Sequence, residues 1–325
     1  MQKKSNYEKI LDIFKLDAIL ESKITAIHAH FGDIANEFIF IKKLVPGIKF
    51  FVTFHGYDIR AALSKNDFFY KNLFTLADGV ISICDYNSNR LREIGCPKEK
   101  IFRVNNGVNL NFFAKKEVAG FFDLKDEIII LTVARLEPEK NLIFAICLID
   151  KLARNFSHKK IKYLIVGDGS LRSELEAKVD ELNLQGTVFL LGAKSKMEVR
   201  GLLEKADIFL LTSTQEASPI VILEAMAAKV AVAASSVGGI PEMIKDGETG
   251  ILLNLSEVEF SFQKLYLLMI DQKLRFKIVE KAYQYVSEQH NMDFIINKLI
   301  KIYSNANKQC INCGDLENFR IDYKS

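Results

Sequence analysis

The chain has 325 residues, 49% hydrophobic and 26% charged, with a formal net charge of +3. That length supports two ordinary domains with substantial cores, and the near-neutral balance, with no arginine-rich run, zinc-finger spacing or RNP-like aromatic string, excludes a nucleic-acid partner. No run of eighteen apolar residues occurs, and the opening MQKKSNYEKILDIF carries charges where a signal peptide needs an apolar centre, so a cytoplasmic protein is expected.

Five scattered cysteines, Cys84, Cys96, Cys147, Cys310 and Cys313, suit a reducing compartment. The tail CINCGD holds a lone C-x-x-C without a second pair, read as a plain tail over residues 306–325 in preference to a zinc site. Lys and Arg outnumber Asp and Glu over residues 1–116. That excess is compatible with peripheral contact at an anionic membrane surface or with an anionic acceptor.

In chain order, residues 6–20 show apolar positions at three- and four-residue spacing and predict a helix. Strand-like apolar runs follow at 24–31, 49–56, 79–84 and 101–107, with helices expected between them. Residues 111–127 have no clean period and predict a linker. The alternation then restarts, with strands at 128–135, 161–169, 187–193, 206–213, 230–239 and 250–254. Strand and helix in alternation argue for parallel sheets built from βαβ units, hence an α/β chain with two Rossmann-like domains. The N-terminal domain is assigned to residues 1–116, joined by a C-terminal helix at 285–305, and the second domain to residues 117–284.

In open sheets of this kind ligands bind beyond the carboxyl ends of the strands. The loops there are unusual. ARLEPEKN supplies Arg135 and Lys140, GDGSLR supplies Gly167, and SSVGGIPE supplies Gly238 and Gly239 before Pro241. The glycine pair reads equally as an ordinary turn or as a close approach to a ligand. The segment TSTQEASPIVILEAMA places Glu216 and Glu224 around an apolar run, with Ser218 as a helix N-cap and Pro219 at the first helical position. The backbone N–H groups of Ile220 and Val221 then open the helix and suit a phosphate. An Arg, a Lys and a helix N-terminus together make a diphosphate clamp.

ARLEPEKN, IVGDGSLRSELE, QEASPIVILEAMA and VGGIPEMIKDGETGILL, in that order and spacing, resemble the C-terminal domain of the GT-B, retaining, nucleotide-sugar-dependent glycosyltransferases of the family 4 type. HAHFGD, TFHGYDI and VNNGVNLNFF resemble the exopolysaccharide, colanic-acid-like branch of that family over the first half. The resemblance implies that Glu224, second of an E-x7-E pair, holds the donor ribose and that Glu216, the first, lies near the transferred sugar. It also implies that Arg135 and Lys140 meet the diphosphate, and that His55 faces the donor sugar. Ser218, Ile220, Val221 and Gly167 complete the implied donor site. Ala217 departs from the glycine usual after the first Glu.

The implied reaction moves a hexose from a UDP- or GDP-sugar to a glycan or glycolipid with retention. No D-x-D is present, so no metal and no cofactor are expected. The family pattern implies an N-terminal domain shortened by its opening βα units, with the missing elements supplied by a partner chain. The alternative is a catalytically impaired, nucleotide-sugar-binding scaffold subunit. A nicotinamide oxidoreductase is disfavoured, because GDGSLR lacks the third glycine of G-x-G-x-x-G. His28 reads as a satisfied strand residue, whereas for His30 the satisfied and functional readings stay open.

Overall fold

Ten short strands, none longer than seven residues, form two separate sheets in a computed structural model that describes residues 24–45, 47–64, 69–113, 127–156 and 160–307. The expected helix at 6–20 and the tail cysteines Cys310 and Cys313 lie outside the described residues. The chain divides into two compact units, one of residues 1–81, 91–102 and 297–325 and the other of residues 82–90 and 103–296. All ten expected strands are present, each shorter than its apolar run by the residues that turn away at its ends.

The first sheet has the order β1 (Ala26–His30), β2 (Lys49–Phe54), β3 (Gly79–Ser82) and β4 (Ile101–Arg103). β1 runs parallel to β2, with Ala26 opposite Lys49 and His30 opposite Thr53. Because side chains alternate along a strand, Phe50, Val52 and Phe54 share one face. They pack there with Ile59, Tyr70, Leu73 and Phe74, all buried. Phe51 points the other way, and its ring meets that of Tyr303 from the helix Met292–Asn307 at 5.0 Å.

The second sheet has the order β10 (Ile251–Leu253), β9 (Ala231–Ser235), β8 (Ile208–Leu211), β5 (Glu127–Val133), β6 (Lys160–Val166) and β7 (Val188–Leu190). Every neighbouring pair is parallel. Its central strands are buried on both faces, as their unbroken apolar sequences require. Ile130, Ile208, Leu210, Ala231 and Ala233 enter one core layer, and Leu131, Phe209, Leu211, Val232 and Ala234 the other. The strand order reverses between β5 and β8, so a topological switch point lies at their carboxyl ends.

The expected linker is shorter than its sequence suggested. Leu110–Phe113 is a helical turn and Glu127 already belongs to β5; residues 114–126 lie outside the described set. Phe113 is buried with Val108 in the second unit's core, so burial of an aromatic ring overrides the lack of a helical period. Among the described residues no helix is long and apolar enough to cross a membrane.

Candidate active site

At the carboxyl end of β5 the chain turns through Ala134–Asn141, a segment fastened on two sides. The N–H of Ala134 donates to the Val166 carbonyl at 3.0 Å and that of Leu136 to Asp168 O at 2.9 Å, while Leu171 N–H returns to Leu136 O at 2.9 Å. On the β8 side, Thr214 N–H donates to Glu139 O at 2.8 Å, and the Thr212 hydroxyl reaches the carbonyls of Lys140 and Asn141 at 3.1 Å each. The two cations of this segment are therefore presented by a fixed backbone. Arg135 is exposed and pairs with Glu139, four residues on. Lys140 is largely buried, and its ammonium lies 2.6 Å from Oε1 of Glu216.

Glu216 sits in the loop after β8, where its Oε1 also accepts a hydrogen bond from the Ser213 hydroxyl at 2.8 Å. Ser213 carries no role in the expected site, yet it is buried and its carbonyl accepts from Ser235 on β9. Two of the expected residues, Lys140 and Glu216, are thus brought into direct contact, which neither motif alone announces.

Gly238 and Gly239 resolve to a close approach, but to protein backbone. Gly238 has φ +56°, and a Cβ built on it would lie 1.8 Å from the Glu216 carbonyl oxygen; on Gly239 it would lie 1.9 Å from that of Ala217. The N–H of Gly239 donates to Glu216 O at 3.1 Å. The two glycines therefore hold the Glu216 loop from behind. Gly167, φ +141°, does the same for the β5 loop: its Cβ would meet Ala134 O at 1.8 Å.

The helix after this loop runs Ile220–Ala227, one residue later than expected. Its N-cap is Pro219, with an extended ψ of 115°, and Ser218 makes no capping bond. A residue preceding proline is pushed toward extended backbone, which places the Ser218 side chain away from the first turn. The Ser218 hydroxyl instead points to Met243 Sδ at 3.7 Å, and its carbonyl accepts from Asn106 Nδ2 at 2.9 Å. Ile220 and Val221 occupy the first helical positions, whose N–H groups have no acceptor within a helix. Ile220 is exposed there and Val221 half-buried.

Glu224 lies one turn further on, half-buried, with no hydrogen-bond or ion-pair partner among the described residues. Burial raises its carboxyl pKa above the ordinary value, and the nearby charge of Lys196 pulls it back. A half-buried carboxylate facing no protein donor is costly unless a ligand or water supplies one. Lys196 itself lies 5.1 Å from the centre of the Phe112 ring, which Arg200 also covers at 5.4 Å.

His55 belongs to the first unit, where it follows β2. Its ring Nε2 is 2.9 Å from Nδ1 of His30, at the end of β1, and Phe31 tilts against it at 4.5 Å. His28 is the satisfied residue expected: Nδ1 meets the Tyr303 hydroxyl at 2.5 Å and Nε2 the Thr53 hydroxyl at 2.7 Å. Burial and neighbouring imidazoles hold the pKa of His55 down to about 4 and that of His28 to about 3. Burial lowers that of His30 as well.

One group that organises this end of the first sheet carried no assignment from sequence. Asp58 is fully buried and accepts four backbone N–H groups: His55, Gly56 and Ile59 on Oδ1 at 3.1, 2.9 and 3.0 Å, and Gly32 on Oδ2 at 3.0 Å. Burial pushes its carboxyl pKa up against the downward pull of those donors. It ties the loop after β1 to the loop after β2. Its signal in the sequence is an acid three residues beyond a strand-end histidine, in HGYD.

Known proteins carry the same layout. Residues 115–285 match the model of the family described as glycosyl transferases group 1, and residues 2–112 that of glycosyltransferase family 4. The putative colanic acid biosynthesis glycosyltransferase WcaL of Escherichia coli is 28% identical over 286 residues, covering 84% of this chain and 69% of that protein. The amylovoran biosynthesis glycosyltransferase AmsK of Erwinia amylovora is 33% identical over 231 residues, covering 68% and 54%. The crystal structure of Anabaena Alr3699/HepE in complex with UDP superposes with a TM-score of 0.78 at 18% identity, over 91% of this chain and 82% of that one. A glycosyltransferase from Rickettsia africae gives 0.76 at 20% identity, over 95% and 85%. With the group 1 model spanning more than half its length and the two-sheet architecture shared with these structures, the chain belongs to the glycosyl transferases group 1 family, as a family 4-like glycosyltransferase of the GT-B fold.

Proposed function

We propose that this glycosyltransferase moves a hexose from a nucleoside-diphosphate sugar to a glycan or glycolipid hydroxyl, with retention, in the synthesis of an exopolysaccharide. The observation that carries the reading is Glu224, a half-buried carboxylate without a partner among the described residues, one turn beyond a helix start at the switch point. A pair of ribose hydroxyls supplies the two donors it lacks. The names of the colanic acid and amylovoran relatives support the polysaccharide setting, and UDP bound to the Anabaena structure makes UDP-sugar the first donor to try.

In this reading the diphosphate lies at the N–H groups of Ile220 and Val221, with Lys140 and Arg135 beside it. The pair with Glu216 leaves Lys140 two of its three N–H donors, and Arg135 uses part of its fork on Glu139. These cations and the helix N-terminus neutralise the leaving group electrostatically, without a metal ion. Glu216 keeps Oε2 for a sugar hydroxyl, while Oε1 is held by Lys140 and Ser213. A carboxylate so engaged is a poor nucleophile, which favours a front-face displacement in which the departing phosphate takes the acceptor's proton. His55 is assigned to the donor sugar on the family resemblance.

Calorimetry with UDP, GDP and ADP tests this reading. One nucleotide binds clearly best, Glu224→Gln lowers its affinity, and a 2′,3′-dideoxy nucleotide binds both forms alike. Absence of binding by all three at millimolar concentration overturns it. Transfer or donor hydrolysis that a chelator abolishes and only Mg²⁺ or Mn²⁺ restores overturns the metal-free mechanism.

A further inference from the structure

The end of the first sheet stacks three imidazoles. The ring of His30 lies 4.7 Å from that of His28 on one side and 5.2 Å from that of His55 on the other, with interplanar angles of 26° and 24°. Only one of these contacts is a hydrogen bond, His30 Nδ1 to His55 Nε2 at 2.9 Å. Both nitrogens of His28 are spent on Tyr303 and Thr53, so it cannot compete for either neighbour. Backbone fixes the pair. His55 N–H is held by Asp58, and Phe31, between His30 and the helix Gly32–Phe38, is locked at φ +72° by donating to Thr53 O at 2.9 Å.

A hydrogen bond between two neutral imidazoles contains a single proton. If His55 donates it, His30 must accept on Nδ1, and both rings carry their proton on Nε2. If His30 donates it, both carry it on Nδ1. The two rings therefore always share one tautomer, and the choice decides what His55 Nδ1 offers outward: a lone pair in the first case, an N–H donor in the second.

We propose that His30 is a positioning residue that sets the tautomer of His55 through this shared proton, and so decides whether His55 presents an acceptor or a donor to its substrate. This rests on the reading of His55 as the histidine that meets the donor sugar. The proton count is one while both rings are neutral, the state that their lowered pKa values favour at pH 7, through burial and the neighbouring His30 at His55 and through partial desolvation at the more exposed His30.

The test is imidazole ¹⁵N NMR of the full chain, whose five histidines give a sparse spectrum. His290 supplies an internal standard: its Nδ1 lies 2.8 Å from the Asn106 carbonyl, which can only accept, so it is an Nδ1–H tautomer. In the wild type, His30 and His55 show the same single tautomer. In His30→Phe, His55 becomes a mixture of tautomers, while the His290 pattern persists and reports an intact second unit. His30→Asn, whose amide occupies the place of Nδ1, restores a single tautomer. With UDP-glucose as the probe, UDP release falls about tenfold in kcat for the Phe variant with KM within about twofold, and Asn recovers most of it. Opposite tautomers in the wild type, or an unchanged His55 pattern in His30→Phe, overturn the proposal. Unimpaired UDP release by His55→Ala would instead remove the role assigned to His55, and the tautomer coupling would still stand or fall on the NMR result.

Discussion

The ammonium of Lys140 and the carboxylate of Glu216 meet at 2.6 Å with their side chains 16% and 12% exposed. They come from loops after different strands, β5 and β8, which are neighbours at the point where the sheet reverses its order. A cation assigned to the leaving diphosphate and a carboxylate assigned to the sugar are thus one electrostatic unit before any donor arrives.

Removing either member alone leaves a mostly buried charge behind. Lys140→Met is expected to lower stability by about 1–3 kcal/mol and to weaken nucleotide binding about tenfold to a hundredfold. The double variant Lys140→Met with Glu216→Gln recovers most of the stability and none of the affinity. Urea denaturation with calorimetry on the four proteins completes the cycle; a double-variant loss equal to the sum of the two single losses would show that the pair is not coupled.

Alanine at Gly238 places a methyl 1.8 Å from the Glu216 carbonyl, while at Gly247, also left-handed at φ +73°, it meets nothing within 4 Å. Gly247→Ala should cost about 1–2 kcal/mol, the backbone penalty alone. Gly238→Ala should cost about 3 kcal/mol or more and should reduce donor turnover in whatever protein remains folded, because the Glu216 loop must move. Similar melting temperatures for the two variants would remove the supporting role given to Gly238.

Asp58→Ala strips four N–H groups, three of them buried, of their acceptor and should cost at least about 3 kcal/mol. Asp58→Asn keeps one good acceptor, enough for His55, Gly56 and Ile59, and loses chiefly the bond from Gly32. Its cost should be about 1–2 kcal/mol, with faster amide exchange at Gly32 than at Ile59. Uniform protection at both amides would contradict the bridging geometry.

His28 and His55 titrate at about 3 and about 4 in the folded chain, below the ordinary 6.5. Between about pH 4 and 6.5 the unfolded state therefore binds more protons, and stability rises with pH. The contribution of these rings is complete above about pH 6.5 and is lost on acidification toward pH 4, at no more than about 1.4 kcal/mol per pH unit for each. Carboxylates add their own slope in the lower part of this window, so the readout is a difference. His28→Gln should flatten the stability curve between pH 6.5 and 5, where few carboxylates titrate; an unchanged slope would show that His28 is charged in the native state.

All ten strands, and the residues that the family motifs pick out, were readable along the chain, because each is set by local pattern. An apolar run such as IFLL buries both faces wherever it lies, and Glu216 and Glu224 stand at a fixed spacing in one loop and one helix. Contacts between distant segments were not readable. The bond from His30 to His55 depends on the register of β1 against β2, and the ion pair from Lys140 to Glu216 on β5 lying beside β8, neither of which periodicity specifies. The same reason hid Asp58 and displaced the helix N-cap from Ser218 to Pro219: a buried acceptor and a loop conformation take their form from whatever the fold packs against them. Composition and spacing determined the α/β class of this protein and the strand-end loops in which its candidate site residues stand; the strand order decided which of those groups touch, since only three-dimensional neighbours can share a proton or a charge.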